Sequence, residues 1–447
     1  MSGSIDFITR YGSDEMRAIF SKENWLKLML KVEVALAKAL WSVGLISEEA
    51  YLSIKRGAKE VSLQRVKEIE KQIMHETMAV VMALAEKSGN GGKYVHLGAT
   101  SNDILDTVMA LQILSASKLM EGKMIRLLEL FCNIAENEKD TICLGRTHGR
   151  AAVPMVFGFK FAVYASEIAR NLDRLRAAVK RAAVGKICGA VGTMAELGEI
   201  GFKIQKIVME SLGIPESDIN TQVVPRDRIA EFLLVLALIS SSLEKIANEI
   251  RNLQRSEIEE VFEPFGRKQI GSSTMPHKRN PIMSERICGL ARVLRGITVG
   301  SLENIVLEHE RDLTNSSFER VIIPQACLLV DEQLSTAIKI FSNLEIRRDR
   351  MKKNLLKAGL KIMSENIMIK AVLRGADRQR SLNELREISL KAKNDDEFLD
   401  LVLKNDYIRG FLSEEEIRKA LDYNEYTKTA KIYIEKIVNK IRREYLS

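Results

Sequence analysis

The chain has 447 residues, 46% of them hydrophobic and 29% charged, with a formal charge of +8 at pH 7. That composition suits a soluble globular protein of several domains or one elongated subunit; its longest apolar stretch, around residues 232–239, is too short to span a bilayer, and no basic-then-apolar leader opens it. The basic excess falls mostly after Arg347, where acidic residues are interleaved and no aromatic–basic stacking motif occurs, so a solvated helical surface is expected there and no nucleic-acid interface.

All seven prolines lie between Pro154 and Pro324, which favours long helices on either side. Strand signals are nearly absent. Ser21 is expected to cap a helix running to about Val43, with Trp25, Leu28, Met29, Val32, Leu36 and Leu40 on one face and Gly44 as its stop. Ser47, Glu48 and Glu49 open a short helix. A third is expected from about Ser62 to Lys87, with Ile69, Ile73, Val80 and Leu84 as its buried stripe. A very long helix begins near Asn102 and reaches about Lys139. At ~1.5 Å per residue it spans over about 50 Å, too long for a compact globule and typical of a bundle.

Further helices are expected at about 155–183, 198–212, 226–258, 282–311 and 314–343, the last kinked at Pro324. Beyond Arg347 the helices shorten. The organisation expected is all-α and three-domain: an N-terminal helical domain (1–104), a central long-helix bundle (105–345) and a C-terminal helical domain (346–447). Apolar faces on several long helices need partners, so an oligomer is expected.

Four segments combine a Gly-, Ser-, Thr- or His-rich loop with a long helix. Val95-His96-Leu97-Gly98-Ala99-Thr100-Ser101-Asn102-Asp103 opens the longest helix; its hydroxyls either cap that helix or hold a carboxylate at its N-terminus. Gly145-Arg146-Thr147-His148-Gly149 carries a histidine outside any apolar stripe, an acid/base candidate. Lys186-Ile187-Cys188-Gly189-Ala190-Val191-Gly192-Thr193 is a small-residue loop with no chemistry assignable to it alone. Gly271-Ser272-Ser273-Thr274-Met275-Pro276-His277-Lys278-Arg279-Asn280-Pro281 crowds hydroxyls, an ammonium, an imidazole and an amide before a helix expected from Ile282, a setting for stabilising developing negative charge. Serine serves as a base only if its alkoxide is stabilised; Lys278 and that helix N-terminus are the candidates. On residues alone the base is open between Ser272 and His277. His75 lies within a helical pattern and reads as a partly buried side chain. No phosphate-binding glycine loop or metal-ligand spacing is present. The five cysteines (Cys132, Cys143, Cys188, Cys288, Cys327) lack Cys-x-x-Cys pairing, which predicts free thiols in a reducing cytoplasm.

These four segments, in this order, resemble the conserved blocks of the fumarase/aspartase superfamily, and the His-Lys-Arg-Asn-Pro form of the last resembles its adenylosuccinate lyase family. Arg10-Tyr11, followed by Ser13 and Met16, is similar to that family's N-terminal phosphate-binding pair. His75 is similar to its histidine near phosphate and purine, Gln222 to its substrate-binding glutamine, and Arg286, Arg311, Ser316 and Arg320 to residues around the nucleotide phosphate. The resemblance implies a cofactor-free, metal-free anti elimination of fumarate from adenylosuccinate, giving AMP, and from the succinyl-carboxamide ribonucleotide of purine synthesis. It implies Ser272 as base, His148 as acid oriented by Glu285, and Thr100, Ser101, Lys278 and Asn280 on the carboxylates, with His96 among the substrate-binding residues. It also implies a cytoplasmic homotetramer whose active sites are shared between subunits. Arg150, Glu76, Asp14 and the run Asp312-Leu313-Thr314-Asn315 depart from that family's commoner residues. The rivals are another superfamily member, such as a 3-carboxymuconate cycloisomerase, which has no need of the phosphate set, and a non-catalytic helical assembly protein on the same fold.

Overall fold

A computed structural model of the chain describes residues 10–266 and 268–446. It is 69% helical, with two two-stranded antiparallel pairings among the described residues. The all-α expectation therefore holds. The cap at Ser21 holds as well: its Oγ accepts the Asn24 N–H at 3.2 Å and opens the helix Lys22–Ser42, whose Met29, Val32, Leu36 and Leu40 are buried. The long helix runs Ser101–Asn137, and Phe157–Ala182, Asp227–Leu253 and Thr314–Ser342 are of the same kind. The last is helical through Pro324; it is long and apolar enough to cross a membrane, and 67% of its most apolar window is buried in the fold.

Three expectations are corrected. The helix expected over Ser62–Lys87 is two, Leu63–Ile73 and Glu76–Lys87. Met74 takes a left-handed conformation (φ 55°), and His75 caps the second helix, its Nδ1 accepting the Met78 N–H at 3.2 Å. His75 and Ile73 are consequently exposed, not buried on a stripe. The helix expected over 282–311 stops at Thr298, followed by the turn Gly300–Glu303. The β-branched run Ile297-Thr298-Val299 between two glycines weakens it there.

The third correction concerns residues 142–156, which form a hairpin, Ile142–Thr147 pairing with Arg150–Val156. The two turn residues, His148 (φ 52°) and Gly149 (φ 71°), both have positive φ. That is the two-residue turn whose twist matches flanking strands.

The chain divides into two compact units, each discontinuous in sequence: Met1–Lys123, Asn171–Leu243 and Gly289–Ser335 in the first, Met124–Arg170, Glu244–Cys288 and Thr336–Ser447 in the second. The first unit has a core in which Leu36, Leu40, Ile54, Val80, Ile104 and Val208 meet. In the second, Phe131, Phe157, Phe161, Tyr164 and Phe341 make an edge-to-face aromatic cluster, with Phe131–Phe341 centroids 4.8 Å apart. A separate core, including Ile367, Leu385, Phe398 and Ile417, holds the short C-terminal helices.

Candidate active site

In the first unit the start of Ser101–Asn137 is organised by buried Asp103. Its carboxylate accepts the N–H of Thr100 (2.9 Å), Cys188 (2.9 Å) and Gly189 (3.1 Å), and pairs with the buried Lys186 ammonium. A carboxylate three residues along reaching back to the cap residue is half of a capping box. Because Asp103 does this work, the hydroxyls of Thr100 and Ser101 have no hydrogen-bond partner among the described residues. The small-residue loop 186–193 is thus a strap over Asp103. From it, Ala190 O accepts from Gln222 Nε2 (2.8 Å), and Gln222 Oε1 accepts from Arg311 Nη1 (2.9 Å). With its amide oxygen turned inward, Asn102 accepts from the same guanidinium, 3.1 Å from Nε and 3.2 Å from Nη2.

Beside this array lies a cleft of about 300 Å³, lined among others by Glu76, Asn102, Arg226, Arg311, Ser316 and Arg320. Its floor is a buried charge cluster. Arg226 grips Asp106 through both terminal nitrogens (2.9 Å each) and Glu319 through Nε (2.9 Å) and Nη2 (3.1 Å). Burial opposes the Arg226 charge, but the two carboxylates outweigh it and raise its pKa. Burial pushes the Glu319 carboxyl up, with Arg226 offsetting part of that. Arg311 is different: burial pulls its pKa down, Asp106 offsets part of the effect and Arg226 adds to it, and its hydrogen bonds go to neutral amides. A guanidinium remains charged even so. Arg320 reaches Ser316 Oγ (3.4 Å) and pairs with Glu76 (2.5 Å).

The N-terminal pair is fastened to the same unit. Tyr11 O accepts from Arg17 (3.1 Å), while the Gly12 and Ser13 N–H groups donate to Glu332 (3.2 Å) and Asp331 (2.7 Å) on the helix Thr314–Ser342. Arg10 is exposed. His96, at φ 66°, lies apart from the lining of the cleft and hydrogen-bonds buried Glu33 through Nδ1 at 2.7 Å. Burial opposes its charge, but Glu33 outweighs burial and its pKa stands above the usual histidine value.

In the second unit His148 is exposed at the hairpin tip. Arg146, two residues before it, is anchored to buried Glu260 at 2.6 and 3.0 Å. The signature loop is closed on itself. A Cβ on Gly271 would overlap the Lys278 carbonyl, and Asn280 Nδ2 donates to Gly271 O at 2.9 Å. Ser272 Oγ accepts the N–H groups of Met275 (3.1 Å) and Thr274 (3.3 Å). Donors aimed at an oxygen favour its deprotonated form. Lys278, His277, Glu285 and Arg286 are exposed.

The helix N-terminus expected to stabilise charge here is already taken. The Glu263 carboxylate accepts the N–H groups of Met283 (3.1 Å) and Ser284 (2.5 Å). The donors at Ser272 are therefore local loop amides and not the helix end. No hydrogen bond or ion pair joins Glu285 to His148 within one chain, among the described residues.

Residues 9–296 match a family described as Lyase, and residues 361–437 one described as Adenylosuccinate lyase C-terminus. The adenylosuccinate lyase of Pyrococcus abyssi is 46% identical over 435 residues, covering 97% of this chain and 96% of that protein. That of Methanocaldococcus jannaschii is 45% identical over 441 residues, covering 97% and 95%. The chain belongs to the adenylosuccinate lyase family. Among solved structures, the 3-carboxy-cis,cis-muconate lactonizing enzyme from Pseudomonas putida is similar with a TM-score of 0.86 at 29% identity, each chain covered over 99%.

Of the residues that the adenylosuccinate lyase family resemblance implies, Arg311, Ser316 and Arg320 line one cleft in the first unit; Gln222 is hydrogen-bonded to Arg311, and Thr100 and Ser101 directly precede Asn102, which lines it. The second unit carries His148, Ser272, Lys278, Asn280, Glu285 and Arg286. Three organising residues escaped the sequence reading. Asp103 had a signal, the Thr100-x-x-Asp103 spacing of a capping box. Arg226 and Glu263 had none, since their partners lie far away in sequence.

Proposed function

We propose that this chain eliminates fumarate from adenylosuccinate, giving AMP, and from the succinyl-carboxamide ribonucleotide in the same way. The observation that carries the reading is Arg311. It is a partly buried guanidinium bonded to neutral amides, beside Ser316 and Arg320, in a cleft suited to a phosphate. The identity of the full-length relatives supports the same substrate.

Ser272 takes the proton from the carbon beside a carboxylate, and the Thr274 and Met275 amides with Lys278 favour its alkoxide. The electron pair then expels the nitrogen, which His148 protonates with Glu285 orienting it. Thr100, Ser101, Lys278 and Asn280 hold the carboxylates on which charge builds; such fixed donors are worth about two to three powers of ten each. Arg10, Tyr11, His75, His96, Gln222, Arg286, Arg311, Ser316 and Arg320 are the further substrate-binding residues, of which His96 is held on Glu33 apart from the cleft lining within one chain. No step needs a metal or cofactor.

A cytoplasmic homotetramer with shared sites fits this scheme. Apolar side chains such as Val299, Val306, Leu313 and Val321 are exposed and available for association, and among the described residues of one chain no hydrogen bond or ion pair joins Glu285 to His148. The five buried thiols suit a reducing compartment. In chain order the proposed domains remain 1–104, 105–345 and 346–447.

A second reading, cycloisomerisation of a small tricarboxylate, is favoured by the fold likeness to the Pseudomonas putida enzyme. An absorbance assay with adenylosuccinate, with fumarate measured independently, separates the two. Arg320→Ala should raise KM for adenylosuccinate while barely changing weak cleavage of the analogue lacking the 5′-phosphate. Equal losses on both substrates would make Arg320 structural and remove the support for a nucleotide.

A further inference from the structure

Arg226 belongs to none of the groups assigned above, yet each of its bonds ends on an element that carries one. Asp106 lies one turn beyond Asn102 on Ser101–Asn137, and its Oδ2 also accepts the Val224 N–H at 2.8 Å. Val224, two residues after Gln222, gives its carbonyl to Arg226 Nη1 at 2.8 Å. Glu319 sits between Ser316 and Arg320 and accepts from Asn315 Nδ2 at 3.1 Å. The guanidinium is thus a pin through three segments.

Stability does not explain the arrangement. A buried ion cluster is no firmer than well-packed apolar side chains of the same volume, because desolvation consumes the attraction. Charge arithmetic offers a better reason. Asp106 and Glu319 bring two negative charges into a buried floor and Arg226 brings one positive. Arg311 lines the same cleft. Without Arg226 the carboxylates would lack a paired cation, and Arg311, which lines the same cleft and already feels the charge of both, could turn onto them.

We propose that Arg226 is a positioning residue: by engaging Asp106 and Glu319 it keeps Arg311 on its neutral partners Gln222 and Asn102, aimed at an incoming phosphate. The inference rests on the phosphate reading of Arg311. It concerns substrate selection and not proton transfer.

The test is the ratio of kcat/KM for adenylosuccinate to that for its analogue without the 5′-phosphate, measured on the whole enzyme. Arg226→Met should lower the ratio at least about tenfold, chiefly through KM, as Arg311 collapses onto the freed carboxylates. Adding Asp106→Asn and Glu319→Gln removes those carboxylates and should restore the ratio to within about threefold of the original, although Arg226 is still missing. A purely structural role predicts that kcat/KM falls and recovers on both substrates together, leaving the ratio unmoved. If Arg226→Met does not fold, Arg226→Lys serves: it keeps the charge, loses the two-sided fork and should lower the ratio less. An unchanged ratio in the folded single variant, or a folded triple variant with no recovery, overturns the proposal. Arg311→Ala separates the failures. If it leaves the ratio unmoved, the phosphate reading falls and this inference with it; if it moves the ratio and Arg226→Met does not, only this inference falls.

Discussion

Glu263→Ala offers the sharpest check on how the signature loop is held. Its buried carboxylate accepts two N–H groups in the first turn of Ile282–Thr298, at 3.1 and 2.5 Å. Hydrogen bonds to a charged group contribute about 1.5–3 kcal/mol each, so losing both costs roughly 3–6 kcal/mol locally. That is about two to four powers of ten in the local opening equilibrium. Glu263→Gln keeps one acceptor oxygen and loses the charge favoured at a helix N-terminus, so its effect should be about half as large in free energy. Hydrogen exchange resolved at Met283 and Ser284 reads the opening directly. Turnover should fall with it, since Asn280 and Pro281 join this turn to the loop that carries Ser272. Exchange in Glu263→Ala within about threefold of the original protein would refute the argument.

Ser272→Ala should lower turnover by at least about two powers of ten with substrate still bound, and so should His148→Asn, chosen because asparagine tolerates the positive φ of the hairpin tip better than alanine; retention of a tenth of the activity by either would misplace that role. Mixing those two inactive proteins under subunit exchange should recover some activity, and no recovery after proven exchange would remove the shared-site proposal. The His96–Glu33 pair should make stability pH-dependent. The folded-state pKa of His96 is raised, so its contribution is fully present below the ordinary histidine value of about 6.5 and fades as pH rises through the raised value. Tm followed from about pH 6 to 9 should therefore show a downward component that His96→Asn lacks, and equal slopes in the two proteins would contradict the pairing.

The long helices were legible in the sequence because their signals are local: Ser21 before an apolar period, Gly44 after it, and no proline for the first 153 residues. The misses have local and distant causes. His148-Gly149 carried a recognisable hairpin turn between short strands, but four loop-like segments of similar composition concealed it. The break at Met74 has no sequence signal, because a left-handed methionine is set by tertiary context. Candidate chemistry could be named residue by residue through family resemblance. What each residue bonds to could not: Asp103 was unseen beneath Thr100, and Glu263 beneath Ile282–Thr298.

The backbone cannot be what selects the substrate. A muconate lactonizing enzyme is similar over 99% of both chains at a TM-score of 0.86, so the same bundle serves an enzyme with a different name and ligand. On the proposed reading, selection rests on which charges are committed within the protein and which are left open. Here Lys186 is committed to Asp103, Arg226 to Asp106 and Glu319, and Arg146 to Glu260. Among the described residues, the hydrogen bonds of Arg311 go to the amides of Gln222 and Asn102. Arg320, which lines the cleft, is paired with Glu76, so on the proposed reading an incoming phosphate would compete with a carboxylate for it. A dianion can win that competition; a single carboxylate gains little by exchanging places with Glu76. On the proposed phosphate reading, that pairing would favour a ligand of higher charge, with Glu76 giving way to it.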